Sequence, residues 1–403
     1  MKTRTFAVKA RTILPMSGEK PARGAQLFSP LASLDNGMLL IHDGRILSRG
    51  KAHSMRLPVG CPVEDLGNVC LIPGTVNAHA HLDLSVLARS TTLGQGFTVW
   101  LSSLIPLLPR GETIGQNVFD AIHSACEELH ACGTLHVGNI AGSVKNVLSY
   151  LDGEASAQGL SMSHFCEWLG FGRDDRTSLW PDNVLQDLTD NSDLRARASP
   201  AGHALYSTDP RILSASVRLC RKEQRIFSLH LAESPEETEM LTTGTGPLYE
   251  LYRKTILPRD WSAPRLRPLA YALKLSLLGP GSLAVHCVQL DPQEISVLAV
   301  SGTAVCLCPR SNHAINVGLP DIHSCISSRL LLCLGTDGLT SNTDLDVRNE
   351  AIFLREHLDT PREALIRMLT VNGAAALNLE KGAGHLDPGS PARFAVLPAE
   401  LQF

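Results

Sequence analysis

Two histidines one residue apart, His79 and His81, follow an apolar stretch at residues 69–72 and the pair Pro73-Gly74. On an extended backbone, side chains two residues apart project from the same face. The two imidazoles can therefore chelate one ion. A catalytic zinc site uses about three protein ligands and keeps a position open for water, so this pair asks for partners later in the chain.

Three later stretches supply them. Ile226-Phe-Ser-Leu-His230-Leu-Ala-Glu233 puts a histidine at the end of an apolar run with a glutamate three residues on, and Leu283-Ala-Val-His286-Cys repeats the pattern. Leu330-Leu-Leu-Cys-Leu-Gly-Thr-Asp337-Gly ends a third run with an aspartate. Taken singly, each has an ordinary explanation: His286 as a core histidine, Asp337 as a helix cap, Glu233 as a solvated loop carboxylate. Taken together, a His-x-His and three polar residues at strand ends point to one metal site with acid–base groups beside it.

The elements that must position these groups alternate between strand-like and helix-like patterns. Strands are expected at 69–76, 133–140, 164–170, 195–199, 226–231, 282–288, 303–308 and 330–335, and helices at 117–132, 209–225, 236–252, 292–301 and 361–377. Eight strands with intervening helices predict a (β/α)8 barrel, in which active sites form at the C-terminal ends of the strands. The segments 141–161 and 171–197 read as loops or irregular helices.

Residues 1–68 carry short β-type runs, with a hairpin signal at Asp43-Gly44 between Leu39-Leu40-Ile41 and Ile46-Leu47. The end of the chain is again turn-rich and β-like. The expected organisation is a catalytic barrel at 69–380 and a small β-sandwich domain built from 1–68 and 381–403.

At 403 residues, 44% hydrophobic and 19% charged, the composition is that of a globular protein with a large core. A net charge of −4 and a pI near 6.4 give no electrostatic footprint for nucleic acid or for an anionic membrane. The expected partner is a small molecule, and a homodimer is compatible with this reading. The first residues lack a long apolar core and read as neither a signal peptide nor a membrane span. The 11 cysteines are scattered, odd in number and mostly within apolar runs, which reads as reduced thiols in a cytoplasmic protein. Cys306-Leu-Cys308 is read as core packing rather than as a metal pair.

Over nearly its whole length the sequence resembles the amidohydrolase superfamily, in its branch of metal-dependent deaminases of amino-substituted heterocycles. The motifs are Asn77-Ala-His-Ala-His81, His230-Leu-Ala-Glu233, His286-Cys, Cys308-Pro-Arg-Ser-Asn312 and Gly335-Thr-Asp337-Gly. The resemblance implies that His79, His81, His230 and Asp337 bind one divalent metal, zinc first and ferrous iron second. It implies that Glu233 and His286 work on water and substrate, with Asp337 assisting proton transfer to the leaving amine. Binuclear members need a bridging lysine or glutamate on a middle strand, and the fourth strand candidate offers neither, so one metal is expected.

Three further residues are expected to contact substrate: Trp100, in an aromatic loop within a lid at 85–113 hinged at Gly94 and Gly96, His203, and Arg310, whose guanidinium fork suits a carboxylate. Compact length, the loop ending Phe97-Thr-Val-Trp100-Leu and the Cys-Pro-Arg-Ser-Asn form resemble aminodeoxyfutalosine deaminases of menaquinone biosynthesis. That likeness implies conversion of 6-amino-6-deoxyfutalosine to futalosine. Methylthioadenosine, S-adenosylhomocysteine, adenosine and guanine are the alternative substrates. A rival of another class is a barrel that has lost catalysis and serves as a binding module, but such a chain should have lost ligands, and every expected one is present.

Overall fold

The computed structural model describes residues 5–109, 114–172 and 178–402. The end of the expected lid segment, at 110–113, and residues 173–177 of the 171–197 segment lie outside the described residues, as do 1–4 and 403.

The N-terminal strands are β1 (Thr5–Ile13), β2 (Leu34–His42), β3 (Arg45–Lys51), β4 (Val63–Asp65) and β5 (Cys70–Pro73). β2 and β3 form the expected hairpin. Asp43 and Gly44 both have positive φ, 48° and 73°, the conformation of the tight turn whose twist matches the strands it joins. β1 runs antiparallel to β2 and parallel to both β4 and β5. The strands make one hydrogen-bonded sheet with an apolar layer on either face, one around Val8, Ile13 and Leu39 and the other around Ala7, Met38 and Leu40.

The next eight strands are β6 (Thr75–Ala80), β7 (Thr134–Ala141), β8 (Ser161–Trp168), β9 (Ala198–Gly202), β10 (Phe227–Leu231), β11 (Ser282–His286), β12 (Ala304–Leu307) and β13 (Leu331–Leu334). They pair in parallel as two sheets, β6 to β9 and β10 to β13. The sheets meet along two seams. At one, His230 N donates to His203 O at 3.1 Å, and at the other Asp337 N donates to His79 O at 3.0 Å. The ring of parallel strands, covered by helices, is the expected barrel. Strand β14 (Phe394–Val396) returns to the small sheet and pairs antiparallel with β5, so both ends of the chain contribute to it.

Helices that follow strands start on matched signals. Asp209, Ser234 and Asp291 each cap a helix whose first residue is proline, Pro210–Lys222, Pro235–Thr243 and Pro292–Ser301. The last also has a full capping box with Glu294. A side-chain oxygen at this position satisfies an otherwise unpaired backbone N–H, and proline has no N–H to waste there.

The element boundaries differ from expectation in instructive places. The strand expected at 69–76 is two strands, because Gly74 hands the chain from the small sheet to the barrel. Residues expected as the fourth strand, 195–199, belong mainly to the helix Ser192–Arg197, which Asn191 caps through its side chain. The strand itself is Ala198–Gly202 and still contains neither lysine nor glutamate. The helix expected at 236–252 breaks at Gly244 and Gly246, both at positive φ. The stretch 141–161 contains the helix Leu148–Ala157.

Candidate active site

All the polar residues singled out at strand ends converge at one mouth of the barrel. His79 Nε2 and His81 Nε2 are 3.2 Å apart, and His81 Nε2 is 3.4 Å from His230 Nε2. Asp337 Oδ1 is 3.2 Å from His81 Nε2 and 3.6 Å from His79 Nε2. A tetrahedral ion with bonds of about 2.0–2.1 Å needs ligand atoms about 3.3 Å apart. The four distances, 3.2 to 3.6 Å, lie close to that requirement.

The protonation of three of the four side chains fits too, while at His230 the Glu167 carboxylate outweighs burial and raises the ring to about 10, so ligation there displaces a proton. Burial pushes His79 and His81 down to about 4, so both are neutral at physiological pH, as ligation requires. Burial raises Asp337, but the imidazoles around it, beginning with the hydrogen bond from His79, outweigh that and hold the carboxylate well below its usual range. Three imidazole nitrogens and one carboxylate oxygen make a donor set suited to zinc. Two further groups are also close, His79, His286 and Asp337, and Glu167, His203 and His230. In the latter, His230 Nδ1 lies 2.9 Å from His203 O, which places a proton on Nδ1 and removes it as a ligand.

Backbone geometry at the strand ends aims these groups. His286 and Asp337 adopt positive φ, 71° and 59°, a conformation that costs a non-glycine residue about 1–3 kcal/mol and that clusters at functional sites. A Cβ at Gly335 would sit 2.8 Å from both the His79 backbone oxygen and the Cys306 sulfur. Glycine there lets the end of β13 approach β6. Asn77 completes that junction, donating to Thr336 Oγ1 at 2.7 Å and accepting from Thr336 N at 3.1 Å.

Glu233 is buried, and burial, reinforced by Asp337 and Glu237, raises its carboxyl to about 8. Its Oε1 is 3.5 Å from His286 Nε2. His286 donates from Nδ1 to Asn312 Oδ1 at 2.8 Å, and burial lowers its affinity for a proton to about 4. Nε2 therefore presents a lone pair to the site, and among the described residues it has no hydrogen-bond partner.

The mouth opens into a cavity of about 390 Å³. Its polar floor includes His81, Glu167, His203, Glu233, His286 and Asp337, and its wall includes Leu84, Phe97, Trp100, Leu104, Leu108 and Ile256. The helix Phe97–Leu104 supplies much of that wall from the expected lid segment. Trp100 donates from Nε1 to Thr340 O at 3.0 Å, which ties this helix to the loop after Asp337. Tyr206 is packed instead, fully buried among Phe97, His203 and Tyr252. A larger hollow of about 660 Å³, bordered by Arg23, Ile326 and Arg329, contains none of these groups.

Arg310 is the correction. It does not border the cavity, and its guanidinium is bonded to both oxygens of Asp344, at 2.8 and 2.7 Å, with Thr343 alongside. Its backbone N donates to buried Glu350 at 2.9 Å. The fork is turned toward Asp344 and away from the cavity.

Several residues that sequence reasoning passed over act here. Ser311 and Ser341 donate to Asp337 Oδ2 at 2.6 and 2.9 Å, leaving Oδ1 for the imidazole cluster. Glu237 Oε2 accepts from Glu233 N at 2.8 Å. Glu167 ends β8 with its Oε1 3.1 Å from His230 Nδ1. Ser311 and Asn312 lie inside a motif already recognised, and Glu167 carries the same signal as His286, a charged residue ending an apolar strand. The 11 cysteines are all free, and Cys306 and Cys308 are buried in the core.

A profile described as the Amidohydrolase family matches residues 70–403. The 5-methylthioadenosine/S-adenosylhomocysteine deaminase of Nitratidesulfovibrio vulgaris is 27% identical over 385 residues, covering 90% of this chain and 79% of its own. The aminodeoxyfutalosine deaminase of Deinococcus radiodurans is 26% identical over 335 residues, covering 79% and 76%. Among solved structures, Helicobacter pylori aminofutalosine deaminase in complex with methylthio-coformycin superposes with a TM-score of 0.77 at 20% identity, over 97% of this chain and 91% of that one. An adenosine deaminase from Xanthomonas campestris with bound zinc gives 0.74 at 21% identity, over 97% and 84%. At these identities the structural likeness is one of fold.

Proposed function

The chain belongs to the amidohydrolase family, and from that premise we propose that it is a metal-dependent hydrolytic deaminase of an adenine-type nucleoside. The observation that carries the reading is Glu233. It is a buried carboxyl raised to about 8, 3.5 Å from His286 and bordering the same cavity mouth as His81, His230 and Asp337. The names of the relatives support the substrate class.

In this reading His79, His81, His230 and Asp337 hold one divalent ion. The donor set favours zinc, and the zinc in the Xanthomonas campestris fold relative supports that choice. Such an ion lowers the pKa of water toward about 7, which makes hydroxide available at neutral pH. The protein does the rest. Glu233 takes a proton from the attacking water and delivers it to the ring nitrogen beside the amino-bearing carbon, which opens that carbon to addition. A carboxyl poised near the working pH is suited to both halves of this transfer. His286 Nε2, presenting a lone pair, accepts a hydrogen bond from the water and fixes its approach. As the tetrahedral carbon collapses, the ionised Asp337 takes the remaining proton from the added oxygen and passes it to the amine, the carbon–nitrogen bond breaks, ammonia leaves, and a lactam remains.

The wall of the cavity narrows the substrate. With Arg310 engaged by Asp344, none of the described residues bordering the cavity is an arginine or lysine, and the wall is aliphatic and aromatic. We therefore place an adenosine with an apolar 5′ substituent, such as methylthioadenosine, ahead of 6-amino-6-deoxyfutalosine, whose benzoate carries a charge. The fold likeness to the Helicobacter pylori enzyme keeps the latter as the second reading. The test is an ammonia-release screen of the zinc-loaded protein with methylthioadenosine, S-adenosylhomocysteine, adenosine, 6-amino-6-deoxyfutalosine and guanine. Methylthioadenosine is expected to have the highest kcat/KM. Turnover of guanine alone would remove the adenine-type assignment.

A further inference from the structure

Glu167 has no part in the reaction just described, yet it is the carboxylate that ends β8 on the floor of the cavity. Its side chain is 9% exposed, and its Oε1 lies 3.1 Å from His230 Nδ1. The ring N–H of His230 is aligned on His203 O at 2.9 Å, and Glu167 Oε1 itself makes no hydrogen bond. The contact between the two residues is therefore electrostatic. A carboxylate buried this deeply costs several kcal/mol unless something compensates it, and the His230 ring facing it is its nearest cationic partner.

We infer that Glu167 is a positioning residue for the metal centre, acting through its charge on His230; the inference rests on the metal-dependent reading above. A dication among three neutral imidazoles and one aspartate leaves a buried site with one positive charge in excess. Glu167, on the far side of the His230 ring from His81, supplies the missing negative charge. It also polarises the imidazole so that Nε2 is a stronger donor to the ion. A carboxylate behind a ligating histidine does both in metal sites generally, and its loss costs about 10–100-fold in affinity or activity. The His203 carbonyl sets the orientation of the ring, and Glu167 sets its electronic character.

Because the mechanism is charge rather than shape, two substitutions separate it from packing. Glu167→Gln keeps the volume and removes the charge, whereas Glu167→Asp keeps the charge with a shorter reach. Zinc affinity of the full chain is measured by competition with a chromophoric chelator, with circular dichroism verifying the fold of each variant. Glu167→Gln is expected to weaken zinc binding by about 10–100-fold and Glu167→Asp to recover most of it. Equal zinc affinity in wild type and Glu167→Gln overturns the inference, and a rise confined to KM would make the residue a substrate contact instead. Equal losses in both variants also overturn it, since packing would then be responsible. A wild-type chain that binds no zinc rejects the metal-dependent reading itself, a distinct result.

Discussion

Glu233 is made the acid–base group of the proposed reaction by its surroundings. A glutamate in water ionises near pH 4, and nothing in the side chain of Glu233 distinguishes it from the solvated glutamates elsewhere in the chain. Burial at the barrel mouth, beside Asp337 and Glu237, raises it to about 8, while Glu237 fixes its backbone. Glu233→Gln preserves shape and removes proton transfer. The expected outcome is a fall in kcat of about 10²–10⁴-fold with zinc content unchanged, checked by steady-state kinetics and metal analysis. A variant that lost zinc in proportion to activity would instead make Glu233 part of the metal site. The same contrast explains His286, whose tautomer is decided by Asn312 on the following element.

At the scale of elements, the short helix Pro309–Ala314 after β12 organises the site while presenting nothing to substrate. From three successive residues it sends Arg310 to Asp344, Ser311 to Asp337 and Asn312 to His286. Its arginine thus ties down the loop that follows Asp337, and it lies 3.5 Å from Glu350, whose carboxyl burial raises to about 8. Arg310→Ala leaves Asp344 without its cation, a loss of about 2–3 kcal/mol in stability, since breaking a partly buried charged pair strands the survivor. Chemical denaturation measures it. Discrimination between a carboxylate-bearing nucleoside and methylthioadenosine is expected to be the same in wild type and variant; a selective loss of the former would return Arg310 to the substrate site.

For the whole molecule, the barrel holds histidines that folding keeps neutral. His136, on β7 and away from the metal cluster, accepts or donates a 2.9 Å hydrogen bond with Ser163, and burial lowers its proton affinity from 6.5 to about 3. The unfolded chain binds this proton more readily than the folded one. The stability His136 contributes is therefore complete above pH 6.5 and is lost as pH falls from there toward 3, with a slope of up to about 1.4 kcal/mol per pH unit. His136→Gln should flatten the acid limb of a plot of unfolding free energy against pH by about one histidine's share. An acid limb unchanged by the substitution would show that His136 is protonated, or hydrated, in the folded protein.

The sequence by itself determined the barrel, the meeting of His79, His81, His230, Asp337 and Glu233 at strand ends, and the hairpin at Asp43-Gly44. Each of these rests on a local pattern: a two-residue period, a charged residue ending an apolar run, or a turn that only certain residues adopt. His203 and Trp100, expected near substrate from family resemblance and from an aromatic loop, border the cavity. Only the tertiary structure decided which groups lie behind the first layer, because Glu167 and His230 meet although they stand 63 positions apart in the chain, and no local pattern records a contact of that kind. It also decided against Arg310 as a substrate contact. A guanidinium advertises affinity for a carboxylate, but whether that carboxylate is a ligand's or Asp344's depends on which loop packs beside it.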